Sequence, residues 1–345
     1  MRAIVIHNAK DLRIEEREVP APAKGQLKIR VAAGGICGSD LHYFNNGGFG
    51  PVRLKEPMIP GHEFSGYIAQ LGDEVSDFDV GDLVVVSPSR PCGHCKYCDE
   101  CLRNHCLNMR FYGSAMPFPH IQGAFQEELV VDVSQVVPAD GLSAGEAAMA
   151  EPLSVALHAT RRAGDLLGKR VLVTGCGPIG ALAVVAARRA GAAEIVVTDL
   201  VPNALHYASA SGADKTYNMA ENPDALAPYC EDKGTFDVLY ECTGSEQALA
   251  GAIAAMRPRG VIMQLGLGGD MSVPMMQITA KELDIRGSFR FHEEFPIAVQ
   301  MMRDGLIDVK PLITHTLPFE QAEEAFEIAS DRTQAMKTQI EFAAA

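Results

Sequence analysis

The chain has 345 residues, 47% of them apolar and 21% charged, which is the balance of a folded globular protein with room for two domains or one large one. Its formal net charge of −14 comes without a long basic run, which argues against a nucleic-acid partner, because neutralising phosphates takes clustered Lys and Arg. No transmembrane-like apolar run is present, Met1–Ile6 lacks the layout of a signal peptide, and nine cysteines are best read as metal ligands in a reducing cytoplasm. The acidity also implies that any anionic substrate would need a local cationic pocket.

Short apolar runs punctuated by Pro and Gly predict strands at 2–6, 12–18 and 26–33. Gly34–Tyr43 follows, with glycines flanking a single Cys37 and polar groups close behind it. Pro60–Gly66 is a turn that delivers His62 and Glu63 side by side. Strands are predicted at 64–71 and 83–87, joined by the turn-rich stretch 72–82, with another short-strand region through 125–131. Residues 88–108 form a lobe carrying Cys92, Cys95, Cys98 and Cys106 in the spacing Cys-x2-Cys-x2-Cys-x7-Cys. Four thiolates this close can surround one tetrahedral Zn²⁺ and leave no open position, so this zinc is structural; a chance cluster or disulfides is the weaker alternative. Cys101 falls outside the rhythm and reads as a spare thiol. The frequent Gly and Pro of this all-β part suggest a small distorted barrel or sandwich.

The texture changes near Ser143. An Ala-rich helical stretch over 143–163 contains Glu151; a β-branched strand at 170–174 then runs into Gly175-Cys176-Gly177-Pro178-Ile179-Gly180. A helix at 181–190, a strand at 194–198 ending in Asp199, a helix at 203–211, a strand at 236–240, a helix at 246–257 and a strand at 260–265 continue the alternation. From 284 the texture is mixed, with a helix at 321–330. Such alternation predicts an α/β doubly wound parallel sheet.

A Gly-x-Gly-x-x-Gly turn is weak evidence alone. Here a strand precedes it, a helix follows it, and Asp199 lies 19 residues beyond Gly180 at the end of the next strand. Gly175 permits the tight turn, Gly177 lets backbone approach a pyrophosphate, and Gly180 lets helix pack on strand. The helix N-terminus faces the anion. Asp199 can accept hydrogen bonds from the adenosine ribose and would repel a 2′-phosphate, and Leu200-Val201-Pro202 supply no arginine, so NAD is expected over NADP. Cys37, His62, Glu63 and Glu151 remain as candidate ligands of a second, open zinc site.

Gly35–Asp40, Gly61-His62-Glu63, the four-cysteine lobe and Gly175–Gly180 together resemble the zinc-dependent medium-chain dehydrogenase/reductase family over essentially the whole chain. Ala150–Ser154 and His42-Tyr43 are similar to its polyol dehydrogenase branch. The resemblance implies a GroES-like β-rich catalytic domain (1–145 and 286–345) with an inserted NAD-binding Rossmann domain (146–285). It implies two zincs per chain: a structural one in the lobe and a catalytic one on Cys37, His62 and either Glu63 or Glu151. Ser39 matches the hydroxyl that relays the alcohol proton, Tyr43 a substrate contact and Arg290 an arginine beside zinc and substrate. Pro178, Ile179, Leu200, Leu265, Gly266, Leu267 and Phe289 join the glycines and Asp199 as the expected cofactor-binding set. Two departures stand out: Ala204 replaces an arginine common beside the ribose, and Phe291 replaces a tyrosine at the substrate. Arg110, then His120, are the expected partners of a substrate carboxylate. The implied activity is hydride transfer between NAD(H) and a secondary alcohol of a sugar acid or polyol, in a cytoplasmic homo-oligomer, tetramer or dimer. Threonine dehydrogenation, or a zinc-stabilised interaction protein without turnover, are the alternatives.

Overall fold

The computed structural model describes residues 1–342; Ala343–Ala345, the end of the expected catalytic domain, lie outside the described residues. Two sheets organise the chain. The first has seven strands, in the order Val136–Pro138, Leu83–Val86, Glu63–Leu71, Gln26–Gly35, Lys337–Glu341, Ile313–Pro318, with Glu128–Asp132 also paired to Gln26–Gly35. A hairpin of Arg2–Asn8 and Asp11–Glu16 lies beside it. Alternate residues Leu27, Ile29 and Val31 face a core shared with Ile4, Phe64, Phe125 and Phe326.

The second sheet is wholly parallel, in the order Lys215–Asn218, Glu194–Asp199, Arg170–Thr174, Phe236–Glu241, Met256–Gln264, Asp284–Gly287. Numbered along the chain this is 3-2-1-4-5-6, with its switch point between Arg170–Thr174 and Phe236–Glu241. Its inner strands Arg170–Thr174, Glu194–Asp199 and Phe236–Glu241 are largely apolar because both of their faces are covered, while the edge strands Lys215–Asn218 and Asp284–Gly287 are polar and partly exposed. Val171, Val173, Ile195 and Val197 face one core, and Leu172, Val196 and Leu239 face the other. Each such side chain contributes roughly 1.5–3 kcal/mol by leaving water.

The Ala-rich stretch predicted as one helix is two, Ala144–Ala148 and Ala150–Ala163, so Glu151 sits in the first turn of the second. The division expected between 285 and 286 falls inside the strand Asp284–Gly287, and Phe291, Phe295, Val299, Ile307 and Leu312 pack into the core of the parallel sheet. The chain rejoins the seven-stranded sheet only at Ile313–Pro318. The helix Glu294–Arg303, which propensity alone does not suggest, tolerates Pro296 because it lies in the first turn.

Candidate active site

Cys37 ends the run from Gln26–Gly35 and precedes the helix Gly38–Asn46; His62 and Glu63 open the neighbouring strand. These elements bring Cys37 Sγ, a His62 ring nitrogen and a Glu63 oxygen within 4.8 Å of one another. Asp40, fully buried, ties the two segments together: its carboxylate accepts the Cys37 N–H at 3.0 Å and the Gly61 N–H at 3.1 Å. Its Oδ1 also lies 3.8 Å from His62 Nδ1, a buried nitrogen with no hydrogen-bond partner among the described residues. At that distance the carboxylate faces the ring without a hydrogen bond, so what Asp40 fixes is the backbone of the two segments that carry the ligands. Sequence reasoning missed this role, although an acid three residues into the helix after Cys37 is a readable signal.

Burial pushes the Cys37 thiol up to about 12, with Glu63 adding to the rise and Lys337 opposing it. Burial likewise pushes the Glu151 carboxyl up to about 8, against the pull of His62. Both lean toward their neutral forms until a cation joins them. A thiol, an imidazole and a carboxylate at this spacing fit Zn²⁺ with one position left open. Glu151 falls outside the three-residue cluster. Lys337, buried and unanticipated, donates to both Glu63 oxygens at 2.8 and 2.7 Å and to Ile36 O at 3.2 Å.

In the lobe, Cys95 Sγ is 3.6 Å from Cys98 Sγ and 3.9 Å from Cys106 Sγ. A tetrahedron of ~2.3 Å Zn–S bonds has edges of about 3.8 Å, whereas a disulfide needs about 2.05 Å. The four sulfurs therefore fit one zinc. Backbone donation at His94 holds the Cys92 thiol down at about 6, and the Cys92 N–H donates to Cys106 Sγ at 3.2 Å. Cys101 is exposed and apart from the four.

The lobe touches the segment that carries Arg290. Asn104 Nδ2 donates to Phe289 O at 3.0 Å, and His105 stacks on Phe289. The Arg290 guanidinium lies 4.1 Å over the Phe111 ring, and Phe111 packs against the His62 ring at 5.4 Å. Burial lowers Arg290 to about 10, and its backbone holds φ +55°, an unusual conformation for a long side chain. Tyr43 is buried, its oxygen accepting the Ala115 N–H at 3.1 Å, and Ser39 is half-buried with its hydroxyl at the Cys37 thiol.

Three expected substrate contacts need correction. Phe291 is fully buried and stacks on Phe295 within the core of the parallel sheet, where its ring, with no hydrogen-bonding group, packs against apolar side chains. His120 spends both ring nitrogens on backbone groups: Nε2 accepts the Lys55 N–H at 2.9 Å from a distant segment, and Nδ1 meets Pro117 O of its own loop at 2.9 Å. Arg110 is exposed, and since strand residues alternate, it faces away from the side on which Phe111 meets His62 and Arg290.

At the switch point, Gly175 adopts φ +79°, and a side chain at Gly180 would run into Gly175 O. A Cβ at Gly177 would point into open space, a cradle suited to a pyrophosphate. Leu200 and Leu267 are exposed there, while Ala204 is buried. Asp199 is almost wholly engaged: Oδ2 accepts the Cys176 N–H at 2.7 Å and an Arg332 N–H at 2.9 Å, and Oδ1 accepts the Leu200 and Val201 N–H groups at 2.7 and 3.0 Å. Arg332 comes from 133 residues downstream, so no local pattern announces it.

Two zinc-binding ligand sets beside a dinucleotide-type cradle define a zinc-dependent dehydrogenase. Residues 23–141 match the alcohol dehydrogenase GroES-like domain and residues 178–304 match the zinc-binding dehydrogenase family. The chain belongs to the zinc-dependent medium-chain dehydrogenase/reductase family, in its polyol dehydrogenase branch. It is 42% identical to the L-idonate 5-dehydrogenase (NAD(P)(+)) of Escherichia coli over 99% of this chain and 98% of that one. The crystal structure of that L-idonate 5-dehydrogenase superimposes with a TM-score of 0.95 over the same shares of the two chains. The sorbitol dehydrogenase of Bacillus subtilis is 37% identical over 95% of this chain and 93% of its own. The GroES-like and Rossmann architecture expected from the sequence is borne out. No helix among the described residues is long and apolar enough to cross a membrane.

Proposed function

We propose that the chain oxidises the C5 hydroxyl of L-idonate to 5-keto-D-gluconate, with NAD as hydride acceptor. The observation that carries this reading is the 42% identity to the L-idonate 5-dehydrogenase of Escherichia coli over 99% of this chain, with Arg290 held against Phe111 beside His62 to meet the substrate's oxygens. The segments Met109–Met116, Phe118–His120 and Gly287–Phe291 support the same choice, being similar to L-idonate 5-dehydrogenase.

Cys37, His62 and Glu63 would hold the catalytic zinc, and Cys92, Cys95, Cys98 and Cys106 the structural one. When bound, zinc lowers the hydroxyl's pKa as a Lewis acid and the nicotinamide accepts hydride. Ser39 passes the alcohol proton outward, and Glu151, buried beside the cluster, holds water on that route. Tyr43, whose oxygen is already an acceptor for Ala115, offers its O–H to the substrate. Arg290 keeps guanidinium donors for the substrate's oxygens. Gly175, Gly177, Pro178, Ile179 and Gly180 receive the dinucleotide, with Leu265–Leu267 and Phe289 along its path. We place the enzyme in the cytoplasm as a homo-oligomer, a dimer or tetramer, acting on a small molecule.

The test is a panel of L-idonate, sorbitol, xylitol and threonine with NAD⁺, read by NADH absorbance. L-Idonate is expected to give the highest kcat/KM. A neutral polyol ahead of it overturns the substrate, and no turnover on any alcohol overturns the enzyme reading.

A further inference from the structure

The adenosine end of the cradle holds a charge that belongs to the other domain. Arg332 lies between the helix Ala322–Ser330 and the strand Lys337–Glu341, both belonging to the half built on the seven-stranded sheet, yet its guanidinium reaches Asp199 Oδ2 at 2.9 Å on the parallel sheet. The turn around it is built to stay. Asp331 Oδ1 accepts the Thr333 N–H at 2.9 Å and the Thr333 hydroxyl at 2.6 Å, and Asn203 reaches across to the Arg332 carbonyl at 3.5 Å.

Asp199 closes the second strand of the sheet, the position at which a Rossmann acid takes the ribose 2′-hydroxyl. A carboxylate has about four lone-pair sites. Here three are filled by the backbone N–H groups of Cys176, Leu200 and Val201, and the fourth by Arg332. The face turned toward a ribose is therefore not a free carboxylate but a neutralised pair with a guanidinium on its outer side. Arg332 is 57% exposed and uses one of its five N–H donors on Asp199, so the others remain for an incoming anion.

We propose that Arg332 is the residue that selects the cofactor at the adenosine end: it offsets the repulsion of Asp199 and meets a 2′-phosphate, so that the enzyme binds NADP as well as NAD. This rests on the dinucleotide reading above and extends it. The arginine missing at position 204 is thus supplied from the opposite domain. Replacing it removes a charge-assisted contact to the 2′-phosphate and returns one Asp199 oxygen to the ribose hydroxyls. Both changes move discrimination in one direction, toward NAD.

The experiment titrates zinc-loaded wild type, Arg332→Ala and Arg332→Lys with NADH and NADPH, following nicotinamide fluorescence, with melting curves as the folding control. The wild-type dissociation constants are expected to lie within about tenfold of each other, and their NADPH/NADH ratio should rise about tenfold or more in Arg332→Ala. Arg332→Lys, which keeps the charge, should fall between and serves as the comparison if the alanine variant does not fold. An unchanged ratio in the variants, or equal weakening of both cofactors, overturns the proposal. Binding of neither cofactor by the wild type overturns the dinucleotide reading itself, and the proposal with it.

Discussion

Replacing Lys337 with Met should destabilise the zinc-free protein by about 3–5 kcal/mol. The Lys337 side chain is 2% exposed and that of Glu63 1%, so neither group can turn to water when its partner goes. Methionine fills nearly the same volume, so the loss reports charge and not a cavity. Removing one member of a buried pair costs about 3–5 kcal/mol, because the other is left desolvated and uncompensated. The assay is urea unfolding at pH 7 with a chelator present for every variant, followed by circular dichroism. Adding Glu63→Gln to Lys337→Met removes the stranded charge and should recover most of the loss. A single variant within about 1 kcal/mol of wild type, or a double variant no better than the single, would refute the argument.

Metal analysis should find about two zincs per chain, falling to about one in both Cys95→Ser and Cys37→Ser; the first should lose mainly stability and the second turnover, and two fully active variants would remove the division of roles. Glu294 tests pH dependence. Burial would raise its carboxyl, but contacts from His158 and the His292 N–H outweigh burial and hold it at about 2. A depressed acid stabilises the fold above its unfolded value and loses that contribution as pH falls. Glu294→Gln should therefore cost at most about 3 kcal/mol at pH 7, with the difference from wild type closing between about pH 4.5 and 2; a gap independent of pH would contradict it. Arg110→Ala, on the far face of its strand, should change kcat/KM for L-idonate and for a neutral polyol equally and by less than about twofold. A loss selective for the acid would restore Arg110 to the pocket.

What the sequence discloses here follows from how local the signal is. Four central strands of the parallel sheet are legible because they are buried and apolar, and the glycine turn because Gly175 and Gly180 answer purely local crowding; the edge strands Lys215–Asn218 and Asp284–Gly287 are not, because their exposed, polar sequences lack that signal. The four-cysteine lobe needs only its own spacing. Lys337 and Arg332 were not legible, since their partners lie 274 and 133 residues away and nothing around them differs from surface cations. His120 misled because a histidine whose two nitrogens tie backbone segments together looks, in sequence, like one offered to a ligand. Phe291 misled because the residue after Arg290 turns back into the core. The helix Gly38–Asn46 was hidden by its opening glycine and by the aromatic pair Tyr43-Phe44, which propensity assigns to a strand or a loop.

Asp40 holds the backbone of Cys37 with one oxygen and that of Gly61 with the other, so cysteine and histidine are clasped by a single rigid group. The pair is then a mechanical unit, able to ride with the seven-stranded sheet while the parallel sheet rocks beside it. Opening to admit an alcohol and closing over a dinucleotide need not alter the spacing of the ligands. Crystal forms with and without dinucleotide are expected to differ in the angle between the halves while the Cys37–His62 separation stays constant; a separation that tracks the angle would show the clasp to be too weak for that isolation.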